Sequence, residues 1–290
     1  MTKILTTGSA GILGSAILRN LNNRYIFLNL INKKKINIKY NQTKTNIFNK
    51  KKIDKLIKGY RPEIILHCAA ITNIESCEKY KKKFKKINYD LTKILVNLCK
   101  KNNIRFIFIS TDQVYSKNYY QTEKSLINCY NYYTKTKFFS EKYIQNNLKN
   151  FLILRTNFFG KSKVKSRLSF SDFIISNLMK KKKIYLFDDV IFNPINIDNF
   201  CKAISYLIDK NIRGLYNIGS YPATSKYKFG IKISKKLNLN SKLIISDSLL
   251  KRKNLSDRPL DMRMSLSGIK KIIKDKNFFN LNKNLSLLKN

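Results

Sequence analysis

Thr7-Gly8-Ser9-Ala10-Gly11-Ile12-Leu13-Gly14 is the stretch whose reading decides the fold. The apolar run Lys3 to Thr7 before it has the length of a buried strand, and Ile12 to Leu18 after it reads as a helix. Strand, tight turn and helix in that order need three small residues. One must take positive φ, one must let a pyrophosphate approach the backbone, and one must let helix pack on strand. Gly8, Gly11 and Gly14 can fill those roles in turn. The helix start, with the Gly11, Ile12, Leu13 and Gly14 backbone, then offers unpaired N–H groups and a partial positive charge to phosphates. Three of only nine glycines fall in this turn, more than an ordinary αβ connection requires.

A second motif lies far along the chain, where Tyr133 and Lys137 stand four residues apart in a helix-compatible stretch, 133 to 148, with Glu141 one turn further on. Both side chains should share one helical face. A tyrosine with a pKa of about 10 becomes a useful acid or base near neutrality only if its phenolate is stabilised. An ammonium at about 4 Å, with an effective dielectric near 20, contributes roughly 4 kcal/mol, or up to about three pKa units before desolvation opposes it. In a chain with 17 Tyr and many Lys, such a pair occurs by chance. Its neighbour in sequence is more telling: the apolar strand Phe106 to Ile109 ends in Ser110, Thr111 and Asp112, and strand ends are where open α/β sheets place their chemistry.

Together these stretches resemble the extended short-chain dehydrogenase/reductase family, and within it the dTDP-4-dehydrorhamnose reductase branch of sugar-nucleotide reductases. The resemblance is carried by TGSAGILG at 7 to 14, HCAAITNIESCE at 67 to 78, Asn88, FISTDQVY at 108 to 115, YYTKTKFFSE at 132 to 141, LRTNFFG at 154 to 160 and RPLD at 258 to 261. It implies Thr111, Tyr133 and Lys137 as the catalytic set. Thr111 would hydrogen-bond the substrate carbonyl, Tyr133 donate the proton, and Lys137 lower the tyrosine pKa and bind the nicotinamide ribose. It implies cofactor contacts from Gly8, Gly11, Ile12, Leu13, Gly14, Ala69, Ala70, Thr72, Asn88, Tyr133 and Lys137, and substrate contacts from Thr111, Asp112, Asn157, Phe158 and Arg258. The implied reaction is hydride transfer between a nicotinamide and a keto sugar carried on a nucleotide.

Relatives that dehydrate nucleotide hexoses resemble Thr-Asp-Glu where this chain has Thr111-Asp112-Gln113, and Gln113 has no titratable proton. A dehydratase is therefore disfavoured. An epimerase, which can use the same Tyr and Lys, stays open, as does a non-catalytic NADP-binding regulatory subunit of the same fold. Two departures from the family pattern bear on substrate identity: Leu126-Ile127-Asn128-Cys129 is not Pro-rich, and Phe159 stands in place of the more usual Tyr.

The expected fold is α/β, a Rossmann-type doubly wound parallel sheet with a smaller α/β substrate-binding lobe. Strands read near 3 to 7, 25 to 30, 63 to 69, 105 to 110, 151 to 155 and 214 to 218, with helices at 50 to 59, 86 to 101, 133 to 148 and 167 to 183, and 198 to 210 returning to the sheet. Residues 1 to 156, with about 190 to 220 returning, form the expected dinucleotide-binding domain; 157 to 189 and 221 to 290 form the smaller lobe. No Gly/Ser linker divides them, so they should pack around a cleft.

Composition bounds the partners. A chain of 290 residues with 43% apolar content can bury a full core. Its net charge of +42 normally suggests nucleic acid, but the lysines are spread in runs such as 33 to 35, 50 to 52, 81 to 83 and 180 to 183, without a nucleic-acid motif or aromatic platform. Lys, Asn, Ile, Tyr and Phe are abundant while Ala, Gly, Pro and Trp are scarce, the pattern of AT-rich coding. No apolar stretch has the length of a membrane span, the first strand starts at once, and a cytoplasmic enzyme is expected, with a homodimer kept open. Five scattered cysteines suggest neither disulfides nor zinc. The single histidine, His67, lies inside a strand and reads as structural, which removes support for His-based triads and multi-His metal centres. Beside the ribose, at the end of the second strand, Asn29 and Asn32 are neutral and Lys33 to Lys35 follow, which modestly favours NADP(H) over NAD(H).

Overall fold

The computed structural model describes residues 1–31, 36–37, 39–117, 119–164 and 167–288. Seven strands form the main sheet: β1 (Lys3–Thr7), β2 (Ile26–Ile31), β3 (Gln42–Lys44), β4 (Ile64–His67), β5 (Arg105–Ile109), β6 (Phe151–Thr156) and β7 (Gly214–Ile218). Their order is β7-β6-β5-β4-β1-β2-β3, and every pairing from β6 to β3 is parallel. Two runs of strands wind outward from β1, so the order reverses between β1 and β4, beside the glycine-rich turn. This is a Rossmann-type doubly wound sheet.

β4 and β5 are buried along their whole length, which explains why they read as continuous apolar runs without alternation. β3 escapes that logic. Gln42-Thr43-Lys44 is polar and at the edge, and is recruited by pairing Asn29 with Gln42 and by an Asn29 Nδ2 bond to the Asn41 carbonyl at 2.7 Å. A short lysine-bearing edge strand leaves little for another sheet to pair with.

The chain divides into two compact units. The first comprises Met1–Ser110, Tyr132–Leu154 and Ile204–Leu215; the second comprises Thr111–Asn131, Arg155–Ala203 and Tyr216–Asn290. The core of the first includes Leu5, Ile65, Leu95, Phe106, Phe108 and Ile153, drawn from the sheet and the helix Leu91–Asn102. The helix Lys50–Tyr60 buries Ile53 and Ile57 against this core, starts at Asn49, whose side chain accepts from the Lys52 N–H at 3.0 Å, and stops where Arg61 turns left-handed. The second unit has its own core, in which Phe159, Phe192 and Phe229 meet edge to face. The division expected at residue 156, with about 190 to 220 returning, and these units differ over 111 to 131, and only Ile204–Leu215 of the returning stretch falls in the first unit. The segment 111 to 131 packs in the second unit, where Tyr115 donates to Asn217 Oδ1 at 2.8 Å and Asn131 donates to the Asp257 carbonyl at 2.9 Å.

The helix expected over 86 to 101 is interrupted. Lys86–Asp90 forms a π turn, and the α-helix proper runs Leu91–Asn102. The π turn carries buried Asn88, whose carbonyl receives two hydroxyls, Thr92 at 3.0 Å and Ser140 at 2.9 Å. Widened turns of this kind recur at functional sites. The helix expected over 167 to 183 is shorter, Phe170–Met179, because the Ser169 and Asp172 side chains close a capping box at its start. All five cysteines are free thiols. Among the described residues no helix is long and apolar enough to cross a membrane, and no group of three His, Cys, Asp or Glu side chains could hold a metal.

Candidate active site

The first unit carries the glycine turn. Gly8 has φ +80°, and a Cβ there would lie 2.5 Å from the Ala69 nitrogen and 2.6 Å from the Cys68 carbonyl carbon, both backbone atoms. A Cβ on Gly14 would collide with the Gly8 carbonyl oxygen. The turn is closed by the Gly11 N–H donating to the Gly8 carbonyl at 2.9 Å. Gly11 caps the ten-residue helix Ile12–Leu21 without any side-chain cap bond. The helix therefore begins with its backbone donors uncovered by a side chain, in a cradle that only glycines permit. These features fit a dinucleotide pyrophosphate.

Asn29 is fully buried, and its Oδ1 accepts from Ser9 at 2.7 Å and from Thr6. Its carboxamide thus braces the glycine turn from inside. Asn32 and Lys33 to Lys35 lie outside the described residues.

The loop after β4 holds Ala69 and Ala70 half-buried and Thr72 exposed. Asn88 clamps this loop from below: its Oδ1 accepts from the Ile71 N–H and its Nδ2 donates to the Ile71 carbonyl, both at 2.9 Å, with a longer contact to Thr136 Oγ1 at 3.3 Å. Its carboxamide is thereby spent on the protein.

Tyr133 and Lys137 project from one face of the helix Tyr132–Asn147, and both are buried. Tyr133 packs with Cys77, Phe84 and Ile71. The Lys137 Nζ donates to the Ile109 carbonyl at the end of β5 at 2.6 Å and lies 3.9 Å from the centre of the Phe108 ring. Burial pushes its pKa down to about 7, with the Glu141 carboxylate and the Cys68 thiol acting the other way. The ammonium assumed from sequence is therefore conditional on its surroundings: desolvation in this pocket erodes the charge on which phenolate stabilisation depends.

Thr111, the next residue after Ser110, opens the second unit's share of candidate residues. Its hydroxyl accepts from the Gln113 N–H at 3.2 Å and donates to Asp112 Oδ1 at 3.3 Å. Asp112 is buried, accepts from Asn157 Nδ2 at 3.1 Å, and has its pKa raised to about 7 by desolvation, which Asn157, Lys226 and Thr111 oppose. Phe158 is half-buried and stacks on Phe200 at 6.3 Å. Arg258, half-buried, donates to the Ser256 carbonyl at 3.2 Å. Within this unit Thr111, Asp112 and Asn157 thus form one hydrogen-bonded group. Sequence reasoning missed Lys226, whose charge acts on Asp112 and is acted on by Arg258. Nothing distinguishes one lysine among so many, and only the fold brings it to the carboxylate.

The family model for the RmlD substrate binding domain matches residues 1–280. The chain belongs to this family. A dTDP-D-glucose 4,6-dehydratase of Dictyostelium discoideum is 29% identical to this RmlD-family chain over 256 residues, 75% of this chain and 58% of the dehydratase. A probable low-salt glycan biosynthesis reductase, Agl14, of Haloferax volcanii is 22% identical over 271 residues, covering 91% of this chain and 89% of that protein. Among solved structures, a dTDP-4-dehydrorhamnose reductase from Bacillus anthracis in complex with NADP superimposes with a TM-score of 0.82 at 20% identity, covering 93% of the RmlD-family chain and 92% of its counterpart.

Proposed function

We propose that the protein is an NAD(P)H-dependent reductase of a nucleotide-activated 4-keto-6-deoxy sugar, similar to dTDP-4-dehydrorhamnose reductase and acting in the cytoplasm in deoxysugar or polysaccharide biosynthesis. The observation that carries this reading is the buried Tyr133 and Lys137 pair on one helical face, with Lys137 anchored on the Ile109 carbonyl, in the unit that also holds the glycine cradle. Family membership supports it, as do the names of the Haloferax and Bacillus relatives.

In this reading the first unit binds the dinucleotide and the second binds the sugar nucleotide. Gly8, Gly11 and Gly14, with the Ile12 and Leu13 backbone, receive the pyrophosphate, and Ala69, Ala70 and Thr72 form the wall that Asn88 holds in place. A nicotinamide held by these residues would supply the hydride for the keto carbon. As that carbon–oxygen double bond opens, negative charge develops on oxygen, where the Thr111 hydroxyl stabilises it and the Tyr133 hydroxyl delivers the proton. Lys137 stabilises the phenolate left behind and binds the ribose. Asp112, Asn157, Phe158 and Arg258 orient the sugar nucleotide. The basic run at 33 to 35 favours NADP(H).

One relative is named a dehydratase, and Gln113 speaks against that chemistry here: its amide offers no titratable proton, and its Oε1 is buried without a hydrogen-bond partner. The test is incubation with NADPH and a panel of nucleotide 4-keto-6-deoxy sugars while absorbance of the reduced cofactor is followed. Consumption with one sugar, lost in Tyr133→Phe, is expected. Sugar interconversion without net consumption would favour an epimerase, and silence across the panel with tight NADP binding would favour a regulatory subunit.

A further inference from the structure

The helix that carries Tyr133 and Lys137 also buries a carboxylate that the proposed chemistry leaves without a role. Glu141 is fully buried and stands four residues beyond Lys137, one turn along the same face. Its Oε1 accepts the Ser110 hydroxyl at 2.5 Å. Ser110 directly follows Ile109, whose carbonyl takes the Lys137 Nζ at 2.6 Å, and the Ser110 N–H is itself fixed on the Leu154 carbonyl at 2.7 Å. Two consecutive residues at the end of β5 therefore hold Lys137 and Glu141, the lysine on a carbonyl and the glutamate on a hydroxyl.

The groups around Lys137 differ in the charge they can offer. The Cys68 thiol, at the end of β4, is pushed up to about 12 by burial and stays neutral. His67, the last residue of β4, is pushed down to about 3 by burial and by Lys137, and also stays neutral. Tyr133, on the preceding turn, is the phenol whose anion the lysine is to stabilise. Among the described residues that leaves Glu141 as the acidic group acting on Lys137. A buried ammonium without a counter-charge releases its proton. A neutral amine would still fill the space, but it would no longer stabilise a phenolate.

We propose that Glu141, held by Ser110, is a positioning residue for Lys137, the buried counter-charge that keeps it an ammonium against the end of β5. The proposal rests on the reading of Tyr133 and Lys137 as the proton-donating pair. Its alternative is that Glu141 merely receives the Ser110 hydroxyl as a packing contact.

Glu141→Gln separates the two, because the amide oxygen can still accept from Ser110 while the charge is gone. Protein labelled with 13C at lysine Cε reports each amine's titration, and comparison with Lys137→Met assigns the signal. In Glu141→Gln the Lys137 midpoint should fall by one pH unit or more. The reductase rate should fall about tenfold at pH 8 but less than threefold at pH 6, because a lower lysine pKa moves the alkaline loss of activity to lower pH. Glu141→Asp should restore part of both. An unchanged midpoint, or rates reduced equally at both pH values, would overturn the proposal. If Glu141→Gln does not fold, Ser110→Ala, which frees the carboxylate from its anchor, should lower the midpoint by a smaller amount, and no change there counts equally against it. If the wild type reduces no sugar nucleotide, the proposed function fails while the lysine titration still decides what Glu141 does.

Discussion

The Thr7 hydroxyl lies 2.6 Å from His67 Nδ1, one of two threonine contacts that bracket the ring of the protein's single histidine. On the other side of the ring Nε2 is 3.1 Å from Thr92 Oγ1, and the Thr92 hydroxyl donates to the Asn88 carbonyl at 3.0 Å. Thr92 has one proton and has spent it. His67 Nε2 must therefore be the donor, Nδ1 the acceptor, and Thr7 the donor to it. A directed chain runs from the residue before Gly8 to the π turn that braces Ile71 and Thr136.

Acid stability should report this histidine. Its folded pKa of about 3 lies below the ordinary value near 6.5, so the unfolded chain binds a proton that the native state refuses between those limits. Stability is expected to fall as pH drops through that window, by on the order of 5 kcal/mol in all. Urea denaturation of wild type and His67→Gln at pH 7, 5.5 and 4 checks it: the advantage of the wild type should shrink steadily with acid.

Asp112 gives a slope of the opposite sign. Its folded pKa, raised to about 7, lies above the unfolded value near 3.9, so the native state holds a proton that the unfolded chain has lost between pH 4 and 7. The protein therefore loses stability from this group as pH rises through that range. Asp112→Asn removes the term. Relative to wild type, the variant should gain more at pH 8 than at pH 5, measured by the same denaturation midpoints.

Glycine substitutions should divide by surroundings. Gly8→Ala forces a side chain into φ +80° and onto the Ala69 backbone, costing at least about 1–2 kcal/mol from conformation alone. Dinucleotide affinity should fall at least tenfold, and Gly14→Ala should behave likewise. Gly59→Ala, in the Lys50–Tyr60 helix with open space around the added methyl, should stabilise by about 0.4–1 kcal/mol. Equal effects at positions 8 and 59, in cofactor titrations and thermal melts, would contradict the role given to the turn.

The net charge of +42 should show in salt dependence. An anionic dinucleotide and an anionic sugar nucleotide are both drawn by a positive field that salt screens. Raising KCl from about 50 to 500 mM, which shortens the Debye length from roughly 14 to 4 Å, should increase both KM values severalfold while kcat stays nearly constant.

Much of the sheet was legible because buried parallel strands write themselves as apolar runs: β1, β4, β5, β6 and β7 lie within two or three residues of where the sequence puts them. β3 was not, since Gln42-Thr43-Lys44 has no apolar signal and its pairing comes from Asn29 and the neighbouring strand. The π turn at 86 to 90 was hidden for a similar reason. Its sequence is helix-compatible, and the distortion arises beside hydroxyls from Thr92 and, from another helix, Ser140. At the candidate site the glycine conformation could be anticipated from spacing. The weakened proton affinity of Lys137 and the second-unit grouping of Asp112, Asn157 and Lys226 could not, because both depend on desolvation and on residues distant in the chain.

The interleaving of the two units has a consequence for synthesis on the ribosome. Tyr25 donates to Asp209 at 2.6 Å, and the Arg105 guanidinium donates to the Leu207 and Ile208 carbonyls, so both residues wait for groups made a hundred or more positions later. The first unit is complete only after Leu215 has left the exit tunnel, and by then a little under half of the second has emerged. A translational pause at the end of β6 would hold a nascent chain with these polar groups still open to solvent.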